Sequence, residues 1–348
     1  MTSLFVGVRA NLSESVKRAG LSILFLLLFS LLCLEVTTVR AGECSEKAAH
    51  VFDQPLIDFH SHFQGDSLES SELPDIMRDN NIEIMCLSGL PGGDGDRWVA
   101  PSAWENPEWV RPFLMNFDPE ANESVLYVHN QLNTGCFQGV GELFINGHGR
   151  RVHGDNPVLM SIYRLAADAR VPVLFHWTLG STEAKEQGTK ADFQALKRVL
   201  SLNPDVIFVL AHCALGPSPR RRDYDRILDY LLTKFSNLYT DISGIHKELF
   251  DKDGSISQLG IMLAELIEKH PSRFLLGFDL SDSRFRPEEC DATIRIYRKF
   301  LMFLGTRNAE LVARKNALMI LGRCRDPFLD GGKKPLFIRW EKGFIPWD

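Results

Sequence analysis

The chain has few of the features that mark nucleic-acid-binding proteins, small disulfide-rich proteins or multi-span membrane proteins. Positive charge is in deficit, since 39 Lys and Arg face 45 Asp and Glu, and this argues against a nucleic-acid partner. The seven cysteines show neither the spacing of a disulfide framework nor that of a zinc knuckle. Beyond residue 41 there is no long apolar run, internal repeat or low-complexity tract. We therefore expect one large folded domain.

The N-terminus has the pattern of a targeting segment. Basic residues precede an apolar run from Leu21 to Val36, and Val39-Arg40-Ala41 has the small residues of a signal-peptidase site. We expect residues 1–41 to be a signal peptide, with the mature protein, residues 42–348, periplasmic or secreted. An uncleaved membrane anchor is the alternative, because the apolar run is about as long as the shorter membrane spans.

Short apolar runs alternate with longer segments of helical periodicity, the pattern of a repeated βα unit. Most runs lack polar alternation, as expected for parallel strands that are covered on both faces. The predicted strands lie near residues 56–62, 82–87, 112–117, 138–144, 171–177, 206–212, 238–242 and 273–279. Eight such strands predict an α/β fold, a (β/α)8 TIM barrel, with its core at about residues 55–322.

Two segments depart from this pattern. Gly89 to Trp109 contains a glycine-rich stretch and three tryptophans. It predicts a long loop over the barrel mouth, acting as a structural cap or as a substrate-binding lid. Residues 323–348 carry aromatic residues among Gly, Pro and Lys, and they predict a C-terminal tail that wraps the barrel surface.

The predicted strand that contains Asp58-Phe59-His60-Ser61-His62 carries candidate metal ligands. Residues two apart on a strand face the same side, so His60 and His62 can bind one metal ion while Ser61 faces away. Later apolar runs also end in side chains that can bind a metal, namely Glu142, His176, His212 and Asp279. A TIM barrel builds its active site at the C-terminal ends of its strands. The sequence therefore predicts that these side chains meet in a metal site.

A set of short motifs resembles the amidohydrolase superfamily of metal-dependent TIM-barrel hydrolases, in its amidohydrolase-related branch. The motifs are Asp58-Phe-His60-Ser-His62, Gly141-Glu142, Phe175-His176, Ala211-His212, Asp241-Ile-Ser-Gly244 and Gly277-Phe-Asp279. The segment from Asn316 to Gly322 is also similar to the last helix of that branch. The resemblance covers most of residues 55–322, and its specificity lies in the order and spacing of the motifs.

The resemblance implies a role for each matched position. His60, His62 and His176 would bind a metal ion. Asp279 would be both a ligand and the general base, and His212 would bind a second metal or orient the attacking water. Glu142 matches a position where many relatives carry a bridging lysine or a glutamate, which leaves one and two metal ions equally open. Imidazoles with a carboxylate suit zinc, with manganese and iron as alternatives.

The reaction class implied is metal-assisted hydrolysis of an amide, lactone, ester or phosphoester bond in a small molecule. A non-oxidative decarboxylase of an aromatic or muconate-type acid is the alternative, and a non-catalytic exported metal-binding protein is a third hypothesis. His246 is a candidate substrate contact. Arg284 and Arg286 could hold an anionic group of the substrate or form surface ion pairs. We expect membrane contact only through the N-terminal segment, and assembly into a homo-oligomer stays open.

Overall fold

The computed structural model describes residues 52–65, 68–90, 94–147, 150–178, 190–215, 224–281 and 285–324. The predicted signal peptide or anchor at residues 1–41 lies outside the described residues. So does the predicted C-terminal tail, apart from its first two residues.

The strands form one sheet that is almost entirely parallel. In chain order they are β1 (Leu56–His62), β2 (Ile82–Ser88), β3 (Val110–Leu114), β4 (Gly139–Gly147), β5 (Arg150–Arg151), β6 (Val173–Trp177), β7 (Phe208–Leu210), β8 (Leu238–Asp241) and β9 (Phe274–Leu275). Strand β5 pairs antiparallel with the end of β4, and the other eight pair in parallel in sequence order. The amides of Phe59 and His62 donate to the carbonyls of Leu276 and Leu280 at 2.9 and 2.7 Å. These bonds join β1 to the segment after β9, so the sheet curves into the predicted TIM barrel.

Helices alternate with the strands, as the βα pattern predicts. They are α1 (Leu73–Asp79), α2 (Asp96–Glu105), α3 (Glu123–Asn133), α4 (Pro157–Ala169), α5 (Lys190–Leu202), α6 (Tyr224–Lys234), α7 (Gln258–Lys269), α8 (Pro287–Leu301), α9 (Thr306–Glu310) and α10 (Asn316–Leu321). Single 3-10 turns lie at Ser70–Glu72, Ala211–Ala214 and His246–Glu248, and a π turn at Leu311–Lys315 joins α9 to α10. Within the described residues, none of the helices has the length and apolar character needed to cross a bilayer.

The apolar core has two layers. One layer packs the strands against the surrounding helices, with residues such as Val173, Phe208 and Leu263. The other contains the alternate strand residues, such as Leu174 and Val209, which face the barrel interior because strand side chains alternate. Residues of α10 complete this interior layer, and they are Ala317, Ile320 and Leu321.

Helix α10 closes the N-terminal end of the barrel. The Nδ2 atom of Asn316, its first residue, donates hydrogen bonds to the carbonyls of Pro271 and Phe274 at 2.8 Å. These carbonyls belong to the segment that leads into β9 and to the first residue of β9, so the helix is fixed where that strand begins. The C-terminal ends of the strands are left for the polar side chains.

The predicted loop at 89–109 is wrong for residues 96–105, because α2 occupies them. The helix buries Val99, Ala100 and Ala103 on one side, a spacing that the neighbouring glycines and Pro101 obscured in the sequence. Its first residue, Asp96, is also buried and accepts hydrogen bonds from the amides of Met115 and Asn116 just after β3. Contacts across the barrel mouth therefore stabilise a helix that local propensity did not indicate.

Four strands end earlier than predicted, and two of them are β3, which ends at Leu114, and β8, which ends at Asp241. β7 ends at Leu210 and β9 at Leu275, so His212 and Asp279 lie in the turns that follow. Both residues have left-handed backbone conformations, with φ of 53° and 55°. Continued strand pairing is not compatible with such φ values. The apolar pattern continued through these turns because the turns are themselves buried.

Candidate metal centre

The barrel brings the six predicted metal-site side chains together at its C-terminal end. β1 supplies His60 and His62, β4 supplies Glu142, and β6 supplies His176. The turns after β7 and β9 supply His212 and Asp279. These side chains come from five different strands or strand ends, as is usual for TIM-barrel active sites.

The carboxylate of Glu142 lies at the centre of the group and is 1% exposed. Its Oε2 atom is 3.2 Å from Nε2 of His60 and 3.4 Å from Nε2 of His62. Its Oε1 atom is 3.0 Å from Nδ1 of His176 and 3.3 Å from Nε2 of His212. Each oxygen therefore faces its own pair of imidazoles. Two groups of potential ligands result, each with its donor atoms within 4.8 Å of one another, and they share Glu142.

Asp279 forms the open side of the centre. Its Oδ1 atom lies 3.4 Å from Nε2 of His62, and its side chain is 26% exposed, against 3% for that of His62. Gly244 is close by, and a Cβ on it would lie 2.9 Å from Oδ2 of Asp279 and 3.0 Å from Nδ1 of His212. With φ at 68°, this position favours glycine on both conformational and steric grounds. A ligand that enters the mouth would therefore meet Asp279 first.

The backbone around the centre is held in unusual conformations. His212, Cys213 and Ala214 are consecutive left-handed residues, with φ between 53° and 60°. The amide of His212 donates to Oδ1 of Asp241 at 2.9 Å, and the hydroxyl of Tyr224 donates to the carbonyl of Cys213. Non-glycine residues persist in this region only when surrounding contacts enforce it, and such strain clusters at functional sites.

A glycine is also required next to Glu142. Gly141 has φ of 114°, and a Cβ there would lie 1.9 Å from the carbonyl oxygen of Leu174 on the neighbouring β6. Any side chain would push β4 away from β6. The Gly141-Glu142 motif thus has a direct physical basis, because the glycine allows the close approach that places Glu142 beside His176.

Sequence reasoning gave Asp241 no role, although it orients two of the histidines. It is fully buried, and its Oδ2 atom lies 3.0 Å from Nδ1 of His60. A carboxylate facing Nδ1 favours the proton there and leaves Nε2, which faces Glu142, free to bind a metal. The signal was present in the sequence, since Asp241 is the second-to-last residue of its predicted strand, as His176 is of its own.

Ser243 was also missed, and its hydroxyl lies between two of the imidazoles. Its Oγ atom is 2.9 Å from Nδ1 of both His60 and His212, and it donates to Oδ1 of Asp241 at 2.6 Å. Its carbonyl oxygen is 3.0 Å from Nδ1 of His212. Asp241 and Ser243 therefore form a shared support beneath His60 and His212.

Asp58 is fully buried, and its carboxylate is held by donors from β1 and from the segment after β9. Pairing between β1 and β2 is irregular between Asp58 and Ser61. The carboxylate of Asp58 accepts hydrogen bonds from the hydroxyl of Ser61 and from the amides of His60 and Phe278. Its function in the structure is therefore to connect β1 with the segment that leads to Asp279.

Electrostatics within the centre favour charged forms. Burial opposes ionisation of Glu142, but the charge of His60 and the hydrogen bonds of the histidines outweigh it and hold the Glu142 pKa well below its usual value. Burial likewise opposes protonation of His62, and hydrogen bonds to Asp279 and Glu142 still raise its pKa to about 9. The pKa of His60 is also raised by Glu142 and Asp241 against burial. Protonated imidazoles therefore balance the charge of the ionised carboxylates when no metal is bound.

This donor set fits a divalent metal. Four imidazoles and two carboxylates converge in a mostly buried space, and these are ligand types that zinc, manganese and iron share. Three of the imidazoles, those of His60, His62 and His212, also have a support at Nδ1. Such support of the second ring nitrogen is usual for metal-binding histidines.

The three predicted substrate contacts lie at different places. His246 begins the 3-10 turn after β8, is partly buried and has its ring 6.1 Å from that of Tyr297. Arg286 is the exposed residue that precedes α8. Arg284 lies outside the described residues.

Comparison with known proteins agrees with the barrel fold. A search of curated proteins found no match. Among solved structures, a zinc-bound amidohydrolase from Burkholderia multivorans is 12% identical, with a TM-score of 0.57 over 77% of this chain and 99% of that one. A probable 2-pyrone-4,6-dicarboxylic acid hydrolase from Acinetobacter baumannii is 13% identical, with a TM-score of 0.53 over 77% and 100%. The 2,6-dihydroxybenzoate decarboxylase from Rhizobium is 14% identical, with a TM-score of 0.52 over 77% and 99%.

At these identities the structures show that the fold is shared, and they include both a hydrolase and a decarboxylase. The family assignment comes from the sequence itself. Residues 93–321 match the family model described as Amidohydrolase, which confirms the resemblance seen in the motifs. The chain therefore belongs to the amidohydrolase family and has the TIM barrel of the amidohydrolase superfamily.

Proposed function

We propose that the protein is a metal-dependent hydrolase that cleaves an amide, lactone, ester or phosphoester bond of a small molecule. The observation that carries this proposal is the position of Glu142, with one oxygen facing His60 and His62 and the other facing His176 and His212. A carboxylate shared in this way can serve two cations. A divalent cation held here would act as a Lewis acid towards a substrate oxygen and would lower the pKa of water.

The residues would divide between two sites. One site would use His60, His62 and Glu142, and the other would use His176, His212 and Glu142. Asp279 would complete the first site from its open side, since its Oδ1 atom faces Nε2 of His62. Zinc suits this set, with manganese and iron as alternatives.

Asp279 would move the proton. Burial favours its neutral form, but the hydrogen bond with His62 and the charges of nearby histidines bring its pKa to about 2. The carboxylate is therefore ionised at neutral pH and can accept a proton from an attacking water. Its exposure at the mouth lets it pass that proton to the leaving group. His212, whose Nδ1 atom borders the same side of Gly244 as Oδ2 of Asp279, would bind the second metal or orient the water.

Substrate recognition would come from the loops around the mouth. We retain His246, Arg284 and Arg286 as proposed substrate contacts, with the arginines suited to an anionic group. We also propose that residues 1–41 direct export, so that the substrate would be met outside the cytoplasm.

The test begins with the metal content of protein purified without added metal. We expect one or two divalent ions per chain and loss of activity after chelation. A screen of lactones, phosphoesters, amides and aromatic acids in 18O-labelled water should then identify a substrate whose product carries the label. Release of CO2 from an aromatic acid, with no label in the remaining product, would show that the protein is a decarboxylase and not a hydrolase. Full activity in metal-free protein would overturn the metal-dependent mechanism itself.

A further inference from the structure

A buried carboxylate at the start of α2 has no part in the chemistry proposed above. Asp96 is 2% exposed. Its Oδ1 atom accepts a hydrogen bond from the amide of Met115 at 3.0 Å, and its Oδ2 atom accepts one from the amide of Asn116 at 2.8 Å. The hydroxyl of Tyr127 is a further donor to Oδ2, at 3.4 Å. The carboxylate thus fixes the start of α2 to the end of β3.

Asn116 bonds back to Asp96 and also holds the segment that leaves β2. Its Oδ1 atom accepts a hydrogen bond from the amide of Asp96 at 2.6 Å, and its Nδ2 atom donates to the carbonyl of Leu90 at 3.2 Å. We call this reciprocal pair the Asp96–Asn116 clasp. It joins the ends of β2 and β3 to α2 through groups that are all at least partly buried.

Gly89 is confined by this clasp. A Cβ on Gly89 would lie 2.7 Å from Oδ1 of Asn116 and 2.9 Å from Cα of Gly95. A Cβ on Gly95 would lie 2.4 Å from Cα of Gly89. The two backbones therefore touch, and neither position can carry a side chain without moving the other.

The carbonyl of Gly89 supports a metal-site histidine. Its oxygen lies 3.0 Å from Nδ1 of His62. A carbonyl oxygen can only accept a hydrogen bond, so it places the proton on Nδ1 and leaves Nε2 for the metal side. The hydroxyl of Ser88 is also 3.0 Å from Nδ1, but a hydroxyl can donate or accept and so does not select one tautomer.

We propose that the Asp96–Asn116 clasp positions the Gly89 carbonyl and, through it, orients the His62 imidazole for metal binding. This inference rests on the proposed metal-dependent function. Asp96 and Asn116 are positioning residues, since they reach the centre only through the backbone of Gly89. The helix at the barrel mouth is then part of the support of the metal centre.

Two variants break the clasp in independent ways, and each has a matched control. Asn116→Ala removes its side-chain hydrogen bonds with Asp96 and Leu90 and the weaker one to Sδ of Met115. Gly95→Ala removes no polar group, and its Cβ would meet Gly89 at 2.4 Å, with more distant contacts to Gln64 and Phe63. Asn203→Ala is the control for the first, because it deletes a buried side chain that donates to the carbonyl of Val199 at the end of α5. Gly305→Ala is the control for the second, because nothing lies within 4 Å of a Cβ there.

The first measurement is Zn2+ affinity, by competition with a chromophoric chelator. Loss of support for a metal-binding histidine typically lowers affinity by about 10- to 100-fold, and we expect roughly tenfold or more in both clasp variants. Both controls should stay within about twofold of the parent, because they leave Gly89 in place. A general loss of stability would lower the Zn2+ affinity of the clasp variants and of their controls alike, so it would not produce this difference.

The second measurement does not depend on bound metal. The Nδ1–H resonance of His62 is followed by 1H–15N NMR in metal-free, histidine-labelled protein and assigned by its loss in His62→Asn. We expect it to shift or broaden in Asn116→Ala and Gly95→Ala and to stay unchanged in the controls. If the parent takes up no Zn2+, the proposed function fails. The His62 resonance would still show whether the Asp96–Asn116 clasp orients this imidazole. Parent-like resonances and affinities in both clasp variants would overturn the inference.

Discussion

The two ends of the barrel are built on opposite principles. At the N-terminal end, α10 closes an apolar interior with Ala317, Ile320 and Leu321, and Asn316 is hydrogen-bonded to backbone carbonyls. At the C-terminal end the strands finish in buried imidazoles and carboxylates, and two of them turn through left-handed residues. One end is low in energy because apolar area is buried. The C-terminal end contains buried charges and left-handed backbone, both of which raise the free energy of the fold. The apolar packing at the N-terminal end must offset that cost.

This contrast predicts the largest effects for the ligands themselves. His60→Ala combined with His62→Ala should abolish metal binding at the site that these two imidazoles form with Glu142, and should reduce activity to background. The barrel should remain folded, since its core consists of other residues. Metal analysis, activity and circular dichroism check this. Equal metal content in the double variant and the parent would contradict the assignment.

Asp279→Asn separates proton transfer from metal binding. The amide keeps the shape and one oxygen but not the basic carboxylate, so turnover should fall by roughly 100-fold or more, the range for general acid–base help. Metal affinity should change much less, because the more buried ligands remain. Steady-state kinetics on the substrate found in the screen, with metal analysis, test this. A variant that keeps its metal and the parent rate would show that Asp279 is not the base.

The raised histidine pKa values predict how metal affinity depends on pH. With the pKa of His62 at about 9 in the metal-free protein, a proton occupies the imidazole below that pH and must leave when the metal binds. Affinity should therefore fall as pH decreases below about 9, by roughly tenfold per pH unit for each proton displaced. Chelator competition between pH 6 and pH 9 measures the slope. A flat profile would mean that the histidines are neutral without metal.

Glu142→Ala tests whether the C-terminal end holds two ions. If each oxygen of Glu142 serves its own site, the variant should lose one of two metal ions, a twofold change in stoichiometry. Metal analysis per chain gives the answer directly. An unaltered stoichiometry would leave Glu142 as an acceptor for the four surrounding histidines rather than as a bridge.

Ile320→Ala at the other end should have the smallest effect on the centre. Ile320 is 1% exposed within the interior layer, so its truncation should lower the free energy of unfolding by about 2–5 kcal/mol. Zn2+ affinity at 25 °C should stay at the parent value, because α10 lies at the far end of the strands. Denaturant unfolding and chelator competition are measured together. A large loss of affinity would show that the two ends are coupled.

Sequence patterns predicted the strands better than the turns between them. All eight barrel strands begin within two residues of their predicted starts, and β4 runs on past its predicted end to Gly147. The errors lie where local and tertiary preferences diverge. His212 and Asp279 leave their strands early because hydrogen bonds such as that from the His212 amide to Asp241 stabilise left-handed backbone there. α2 was missed because its stability comes from burial against β3 rather than from propensity.

The sequence by itself determined the barrel and which side chains lie at the strand ends. Both follow from short-range rules, since apolar runs specify buried strands and a two-residue period fixes the face of His60 and His62. Only the tertiary structure decided how these side chains divide around Glu142 and which groups support them. Asp241 lies 181 residues from His60, and Asn116 acts on His62 through the backbone of Gly89. Such contacts depend on side-chain direction across the closed barrel, which no local pattern contains.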